Sequence, residues 1–321
     1  MSDAIRALMT GLIDYAGLFP PAGLAMREAV ANYAGYRQVL PGYAGVSPAD
    51  AGRRPAHPGE AEWLGRFVVP AQRLAEFGEA FDEISAERRD GSWSLSVLLA
   101  KESAEEDLAI AQAFASDRTA TEIAAFETPA DSPETIERLR ALVPATQEIY
   151  FELPIQAPNL DQLLAAIARN GSCAKVRTGG LEAKAFPSPD ALLTFLAACA
   201  NVRVPWKATA GLHHALRGEA PLTYEPASPC ATMFGYLNVF LAATALWSGR
   251  PRGEALALLA GEGRGDLHIE ADAILWRGLR LNASEIADAR REFCRSIGSC
   301  SFTEPVEEIL ALDTTLPEEH P

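Results

Sequence analysis

Short apolar runs alternate with longer amphipathic segments along most of the chain. Each run is about as long as one buried strand, shows little polar alternation and ends in proline, glycine or a charged residue. Such runs are typical of strands that are covered on both faces, as in a parallel sheet surrounded by helices. Seven runs follow this pattern, at residues 12–19, 66–69, 95–100, 123–126, 149–153, 173–176 and 204–208.

Four of the segments between the runs begin with helix-capping signals. The signals are a capping box, a close variant of it, or a serine before a first-turn proline, and they start at Ser103, Asn159, Ser132 and Ser188. Apolar residues at helical spacing follow several of them. The alternation of strands and helices therefore predicts an α/β fold with a parallel sheet.

The spacing of the strand ends predicts the shape of the sheet. The strand ends fall 23 to 32 residues apart, which fits one β/α unit per step. Seven units without a nucleotide-binding glycine fingerprint after the first favour a (β/α)₈ TIM-like barrel over a doubly wound sheet. The eighth strand has several candidates. Residues 236–242 are one, but the long apolar run over 233–247 favours a helix, which moves the strand to 274–276 or near 297–300.

Two segments exceed a minimal barrel. Residues 38–62 are rich in proline, glycine, alanine and arginine, which predicts a loop insertion in a barrel domain over residues 1–262. Residues 263–321 predict a C-terminal extension with a short hairpin, a helix capped by Asn282-Ala-Ser-Glu285 and a polar tail from Thr314. We expect this extension to pack on the barrel or to complete it.

Composition and charge restrict the partners. Hydrophobic residues make up 48% of the chain and charged residues 22%, as in ordinary globular proteins. The net charge of −15 argues against non-specific binding to nucleic acids or anionic membranes. The uncharged stretch 226–249 predicts a buried helix or a strand–helix pair rather than a membrane span. Five cysteines without a secretory signal predict reduced, inert thiols in the cytoplasm, and homo-oligomerisation stays open.

Lysine is rare in this chain and concentrated at predicted strand ends. Only four of the 28 basic residues are lysines, and Lys101, Lys175 and Lys207 lie at such ends, whereas Lys184 does not. In a barrel these ends face the catalytic mouth. The same positions, or those just after them, carry further polar residues: Asp14, Glu127, Glu152, Arg177, Thr178, Thr209, His213 and His214. We expect this mouth to bind a small anionic molecule.

Two of the lysines lie in related motifs on consecutive predicted strands, 32 residues apart. The motifs are Ala-Lys175-Val-Arg-Thr178-Gly179-Gly180 and Trp-Lys207-Ala-Thr-Ala-Gly211-Leu. This pair resembles the deoxyribose-phosphate aldolase family of class I aldolases, whose strands end in Lys-x-x-Thr-Gly and Lys-Ala-x-x-Gly. The resemblance covers residues 174–212. It implies a TIM barrel in which Lys175 is the Schiff-base nucleophile and Lys207 the ammonium that lowers the pKa of Lys175.

The chemistry of amines supports the same pairing. Attack on a carbonyl needs a neutral amine, whereas a free lysine is almost wholly protonated at neutral pH. Burial and a second nearby cation both disfavour the charged form. Arginine could not replace Lys175 in this role because its guanidinium does not deprotonate in proteins.

Part of the mouth departs from the family pattern. Lys101 and Glu102 stand where we expect the aspartate of the family's proton relay, and His213-His214 stands in place of a glycine-rich phosphate loop. The segment 298–301, Gly-Ser-Cys-Ser, is compatible with a phosphate-binding nest, although a plain turn is the favoured interpretation.

Other roles for the lysines stay open. They are expected either to clamp an anion without a covalent step or to neutralise Glu127 and Glu152 in a buried network. These two glutamates share the context Phe-Glu-x-Pro and form a candidate acid–base pair.

A metal is a third option for the polar residues at the mouth. One of the two adjacent histidines would bind it together with Glu127, Glu152 or Asp14, because neighbouring side chains on a strand diverge. The favoured prediction nevertheless includes no metal and no other cofactor.

The combined prediction is an enzyme of the aldolase or lyase type acting on a small carbonyl compound that bears phosphate or carboxylate. Lys175, Lys207, Glu127 and Glu152 are the predicted catalytic residues, and the remaining polar residues of the mouth are expected to hold the substrate. Two alternatives remain: a non-covalent isomerase, transferase or metal-assisted lyase, and a barrel that binds a small molecule without catalysis.

Overall fold

A computed structural model describes residues 1–37, 60–85 and 92–313. The insertion expected at 38–62 lies outside the described residues except for 60–62, which form part of a short 3₁₀ turn. The polar tail expected from Thr314 lies wholly outside them.

The described residues contain thirteen strands and eleven helices. The strands are β1 (Ile13–Tyr15), β2 (Leu64–Pro70), β3 (Trp93–Leu98), β4 (Thr121–Pro129), β5 (Glu148–Glu152), β6 (Cys173–Arg177), β7 (Trp206–Thr209), β8 (Gly218–Pro221), β9 (Cys230–Met233), β10 (His268–Ile269), β11 (Ala273–Trp276), β12 (Leu279–Asn282) and β13 (Cys294–Ser299). The helices are α1 (Asp3–Met9), α2 (Met26–Arg37), α3 (Leu74–Ser85), α4 (Ala104–Ser116), α5 (Pro133–Leu142), α6 (Leu160–Arg169), α7 (Pro189–Asn201), α8 (Tyr236–Trp247), α9 (Arg252–Ala260), α10 (Ala283–Glu292) and α11 (Thr303–Leu312).

Eight parallel strands close into a barrel, in the order β1-β13-β7-β6-β5-β4-β3-β2. Helices follow the strands, and α11 follows the last one. The predicted α/β fold with a TIM-like barrel is therefore confirmed. Among the four capping signals, the hydroxyls of Ser132 and Ser188 accept backbone N–H groups as predicted. Ser103 and Asn159 are also the N-cap residues of helices, α4 and α6, but their side chains make no such bond. The helix starts are therefore confirmed at all four signals, and the side-chain capping bond at only two of them.

The eighth barrel strand comes from the C-terminal segment. The helix favoured over 233–247 is confirmed as α8, although it begins at Tyr236, because Met233 ends β9. Residues 274–276 belong to β11 in a small antiparallel sheet, β10-β11-β12. Strand β13 pairs with β7 on one side and with β1 on the other, so residues beyond 262 close the barrel. The hairpin β11-β12 and the capping box at Asn282 precede it as predicted.

The stretch 226–249 forms a strand–helix pair, β9 followed by α8. Ten of the twelve residues of α8 are buried. Within the described residues, no helix combines the length and the apolar character that crossing a membrane requires.

The barrel strands alternate between apolar and polar positions, which corrects the expectation of little alternation. In β5, Ile149 and Phe151 belong to the main hydrophobic core, whereas Glu148 and Glu152 bond to charged partners on other strands. The apolar positions pack under the helices, and the polar ones fill the barrel. A small separate apolar cluster of Ala125, Tyr150 and Cys173 lies among the polar positions. The alternation of apolar and polar residues along a strand therefore distinguishes the side chains that face the helices from those that face the barrel interior.

Candidate active site

A network of buried charges lies inside the barrel. The two carboxylate oxygens of Glu127 each bind one lysine: Oε2 lies 2.8 Å from Nζ of Lys175, and Oε1 lies 2.6 Å from Nζ of Lys207. Lys175 also lies 2.9 Å from Oε2 of Glu152, and Lys207 lies 2.5 Å from Oδ2 of Asp14. Residues from β1, β4, β5, β6 and β7 therefore meet at one place, as the strand-end pattern predicted.

The strand register brings the two lysines side by side. Lys175 pairs with Lys207 across β6 and β7 and with Glu152 across β5 and β6. Residues paired directly in a parallel ladder point to the same face of the sheet. The two motif lysines therefore both enter the barrel, and Glu127 of the more distant strand β4 bridges them.

Hydroxyl and amide groups hold the carboxylates of this network. Ser96 donates to Glu127 over 2.6 Å, and Ser296 donates to Asp14 over 2.7 Å. The backbone N–H of Arg66 donates to Oδ1 of Asp14 over 2.8 Å. The sequence analysis missed these three residues. For Ser96 the alternating pattern Ser-Leu-Ser in β3 was a usable signal.

Exposure rises along the network toward the carboxyl-terminal mouth. The side chain of Lys207 is 1% exposed and that of Lys175 is 7% exposed, while Glu152 reaches 19%. Arg177 at the end of β6 is 54% exposed, and its NH2 group lies 3.2 Å from Oε1 of Glu152. Lys175 is therefore the member of the lysine pair that lies nearer the mouth.

The carboxylates keep Lys175 charged. Burial acts to lower the pKa of Lys175, but the charges of Glu127 and Glu152 outweigh it, and the pKa is raised. This direction is opposite to the depression that the family resemblance implies. The physical reason is Glu127, which lies between the two lysines and neutralises the repulsion that Lys207 would exert.

The two glutamates do not separate into an acid and a base. Burial acts to raise the pKa of Glu127, but Lys175 and Lys207 outweigh it and hold that pKa far below its usual range. Burial also acts to raise the pKa of Glu152, but the charges of Lys175 and Arg177 outweigh it, and this pKa is lowered as well. Both carboxylates are therefore ionised near neutral pH, and Glu152 is the one with access to the mouth.

The glycines of the two lysine motifs let the loops after β6 and β7 touch. A Cβ atom on Gly179 would lie 3.0 Å from the Cα atom of Gly211, which itself has a φ of +67°. Thr178 is fully buried, and its hydroxyl donates to the carbonyl of Ala210 over 2.6 Å. Thr178 therefore ties the two loops together, and its role in substrate binding stays a prediction. Thr209 ends β7, directly across from Arg177.

Lys101 lies apart from the buried network. Its Nζ atom is 2.6 Å from Oδ2 of Asp131, and the two half-exposed side chains bridge the loops that follow β3 and β4. Lys101 is therefore a rim residue, and its predicted contact with substrate stays a prediction.

The two adjacent histidines form a separate cluster at the mouth. His213 and His214 face Glu304 and Glu308 of α11, rather than the three carboxylates considered from the sequence. Their rings lie 4.6 Å apart, because they follow a left-handed turn and do not belong to a strand. Burial and the neighbouring His214 lower the pKa of His213 to about 4, so its imidazole is neutral at pH 7.

The segment 298–301 contains the last two residues of β13 and a hydrogen-bonded turn that follows them. The hydroxyl of Ser299 donates to the carbonyl of Ser301, and the hydroxyl of Ser301 accepts the backbone N–H of Glu304. These bonds match the favoured interpretation of a turn that leads into α11. All five cysteines are free thiols, and burial raises the pKa of Cys173 and Cys294 to about 12.

A cavity of about 570 Å³ opens at the opposite, amino-terminal end of the barrel. Its lining includes the first residues of β2 and β5, and it reaches Asp14. Arg66 lies 2.6 Å from Glu148 there, and Tyr150 donates to the same carboxylate over 2.9 Å. The sequence analysis did not single out these residues. The network thus touches this cavity at Asp14, while Lys175 and Glu152 approach the carboxyl-terminal mouth.

No protein-family model matches this chain, and no curated protein matches it either.

Proposed function

We propose that this protein is a lyase of the aldolase type that acts on a small anionic carbonyl compound through an imine on Lys175. One observation carries the proposal: Lys175 is buried beside a second lysine, both bond to the carboxylate of Glu127, and Lys175 is nearer the mouth. Buried, strongly coupled ionisable groups cluster at functional sites. The position of Lys175 on β6 and of Lys207 on β7 also agrees with the motifs of the class I aldolases it resembles.

The carboxylates provide a route for the proton that Lys175 must lose. Glu152 lies 2.9 Å from the ammonium and is partly exposed, so it accepts this proton when the carbonyl compound enters. The neutral amine then adds to the carbonyl carbon. Glu152 then returns its proton to the hydroxyl of the carbinolamine, the C–O bond breaks and water leaves. A protonated imine remains on Lys175, and Glu152 is again a carboxylate.

The protonated imine then accepts the electron pair of the substrate's Cα–Cβ bond. Glu152 removes the proton of the substrate's β-hydroxyl, the bond between Cα and Cβ breaks, and the Cβ fragment leaves as a carbonyl compound, the first product. The electron pair of the broken bond forms an enamine on Lys175. Glu152 gives this proton to the enamine carbon, and water hydrolyses the resulting imine, which releases the second carbonyl product and restores the amine of Lys175. Lys207 and Glu127 keep their charges throughout and fix the position of Lys175.

Arg177 supplies the charge for an anionic substrate. Its guanidinium is the exposed cation at the end of β6, next to Glu152. Planar guanidinium groups bind carboxylates and phosphates in a bidentate manner. The phosphate or carboxylate of the substrate would therefore lie on Arg177 while its carbonyl points down to Lys175.

Borohydride reduction tests the imine. The full-length protein is incubated with a panel of carbonyl compounds, including glyoxylate, pyruvate and dihydroxyacetone phosphate. Borohydride then reduces any imine, and mass spectrometry measures the mass of the intact protein. We expect a covalent adduct in the wild type and in Lys184→Arg, whose lysine is 86% exposed and bonds only to Glu182 in the described residues. Lys175→Arg should give none. Equal adduct formation in all three proteins would reject the proposal.

A second candidate is a non-covalent enzyme in which Lys175 clamps an anion. The raised pKa of Lys175 favours it, because a charged ammonium binds anions without deprotonation. In that enzyme Lys175→Arg keeps part of its affinity for the anion, whereas imine chemistry is lost completely with this substitution.

A further inference from the structure

Two histidines and a glutamate converge where the loop after β7 meets α11. One possible ligand atom from each of His213, His214 and Glu304 lies within 4.8 Å of the others. The histidines come from the turn that follows β7, and the glutamate comes from the first turn of the helix that follows β13. The cluster therefore joins two segments that are distant in sequence.

His213 is buried without a hydrogen-bonding partner. The residue is 8% exposed. Its ring contacts that of His214, and among the described residues neither of its nitrogens has a hydrogen bond. Buried polar groups normally find a partner. A nitrogen that lacks one, beside a second imidazole and a carboxylate, points to a ligand that the protein itself does not supply.

Glu308 orients the second histidine. Its Oε1 atom lies 2.7 Å from Nδ1 of His214, and its Oε2 atom accepts the backbone N–H of Ala215 over 2.6 Å. Histidines that ligate metals typically hold their other ring nitrogen against a carboxylate or a carbonyl in this way. The contact fixes both the ring of His214 and the loop that carries it.

We propose that His213, His214 and Glu304 form a binding site for a divalent transition-metal ion, with Glu308 as a positioning residue. Two imidazoles and one carboxylate suit Zn²⁺ and its neighbours, whereas Mg²⁺ and Ca²⁺ prefer oxygen ligands alone. Three protein ligands leave a coordination position open for water or for a substrate oxygen.

Binding requires a small contraction of the cluster. Donors about 2.0–2.2 Å from Zn²⁺ lie about 3.3 Å from each other in a tetrahedral site, so donors now up to 4.8 Å apart must approach by roughly 1.5 Å. Because Glu308 fixes the ring of His214, most of this movement would come from the 22% exposed side chain of Glu304, which would exchange its 3.3 Å hydrogen bond from Tyr224 for the ion. The ion would then tie the loop after β7 to α11.

Metal binding by the full-length chain tests the site. Protein stripped with a chelator is titrated with ZnCl₂ by calorimetry, and Co²⁺ is added separately so that its visible absorption reports the ligand field. We expect one Zn²⁺ per chain, a rise in melting temperature on binding, and much weaker binding of Mg²⁺. His213→Asn and Glu304→Gln should each weaken Zn²⁺ binding by about tenfold or more.

His268→Asn is the matched control, because His268 is exposed in β10, outside the cluster. It should bind Zn²⁺ as the wild type does. If His213→Asn fails to fold, Glu304→Gln carries the test at a partly exposed position. Zn²⁺ binding that survives in Glu304→Gln would assign the ion elsewhere, for instance to the exposed Cys230, and would overturn the proposal. No Zn²⁺ binding by the wild type would overturn it as well.

This proposal does not depend on the imine. The binding of Zn²⁺ and the borohydride adduct on Lys175 are separate readouts, so either can fail while the other succeeds.

Discussion

Glu127 is the residue on which the buried charges depend most. It is 3% exposed and bonds to Lys175, Lys207 and Ser96 at once. A buried ion pair adds little net stability compared with a well-packed apolar pair, but the loss of one partner leaves an uncompensated charge. Two ammonium groups would lose their shared counter-ion if this one carboxylate were removed.

Glu127→Gln should therefore lower the free energy of unfolding by about 3–5 kcal/mol at pH 7. Denaturant unfolding measures the change. Glu137→Gln is the control, because Glu137 makes an exposed ion pair with Arg169, and its loss should cost no more than about 1 kcal/mol.

The pH dependence of this difference follows from the direction of the pKa shift. The folded protein holds the pKa of Glu127 below its unfolded value, so the stabilisation is present above about pH 4.5 and is lost as the pH falls toward the folded pKa. The gap between wild type and Glu127→Gln should thus narrow on acidification. A gap that is constant between pH 7 and pH 3 would contradict the ionised bridge.

The rate of imine trapping at Lys175 should also depend on pH. Because Glu127 and Glu152 raise the pKa of Lys175, its neutral fraction is small at pH 7 and grows with pH. The rate of reductive trapping at Lys175 should rise steadily from pH 6 to pH 9. A lysine whose pKa is strongly lowered would instead reach a plateau near neutral pH. A plateau at pH 7 would therefore contradict the raised pKa and show that the charge of Lys207 outweighs the two glutamates and lowers the pKa of Lys175.

At the scale of the elements, the close approach of β1 and β2 positions Asp14. The register between these strands shifts between Ile13 and Tyr15, and Gly65 lies beside the shift. A Cβ atom on Gly65 would clash with Oδ1 of Asp14, the oxygen that accepts the N–H of Arg66. Only glycine leaves room for this carboxylate.

Gly65→Ala should displace Asp14 and leave Lys207 with one carboxylate. We expect a loss of about 1–3 kcal/mol in the free energy of unfolding, the typical cost of a buried polar group that loses its partner. Gly253→Ala is the control, since a Cβ at Gly253 meets nothing within 4 Å and alanine favours the helix. Equal effects of the two substitutions would reject this account of Gly65.

The elements also show what the sequence could predict. The strand–helix alternation predicted the barrel, and the strand-end positions correctly grouped Lys175 and Lys207 with Asp14. Asp14 was wrongly expected at the carboxyl-terminal mouth, because it is buried inside the barrel and touches the amino-terminal cavity. The bridging geometry of Glu127 could not be predicted, because it depends on the distance across the barrel between β4 and β6. The position of Lys101 was also beyond prediction, since two residues outside the strand, 99 and 100, separate it from the end of β3.

At the scale of the whole molecule, closure of the barrel depends on residues far from its other strands. Strand β13 lies between β7 and β1 in the sheet, although 84 residues separate it from the end of β7 (294 − 209 − 1). Without it, both neighbours would expose unpaired backbone edges.

A chain that ends at residue 262 should therefore fail to fold cooperatively. Circular dichroism and thermal unfolding measure this, and a chain that ends at Asp313 keeps all eight barrel strands and is the matched control. A cooperative transition in the shorter chain would mean that the segment before β13 already forms a stable unit.

The two ends of the barrel also differ in chemistry. The carboxyl-terminal mouth holds the Lys175 network and the histidine cluster, whereas the amino-terminal cavity is lined by arginines such as Arg66 and Arg295. Barrel enzymes place their active sites at the carboxyl-terminal end. Both this general rule and the partial exposure of Glu152 indicate that the chemistry should occur at the carboxyl-terminal mouth.

The most direct test of the account is a peptide map of the reduced protein. After incubation with an anionic carbonyl compound and borohydride, digestion and mass spectrometry identify the modified lysine among the four in the chain. We predict that the adduct lies on Lys175 and disappears when a competing anion occupies the mouth. An adduct confined to the exposed lysines Lys101 and Lys184, or no adduct with any compound of the panel, would contradict an imine at Lys175.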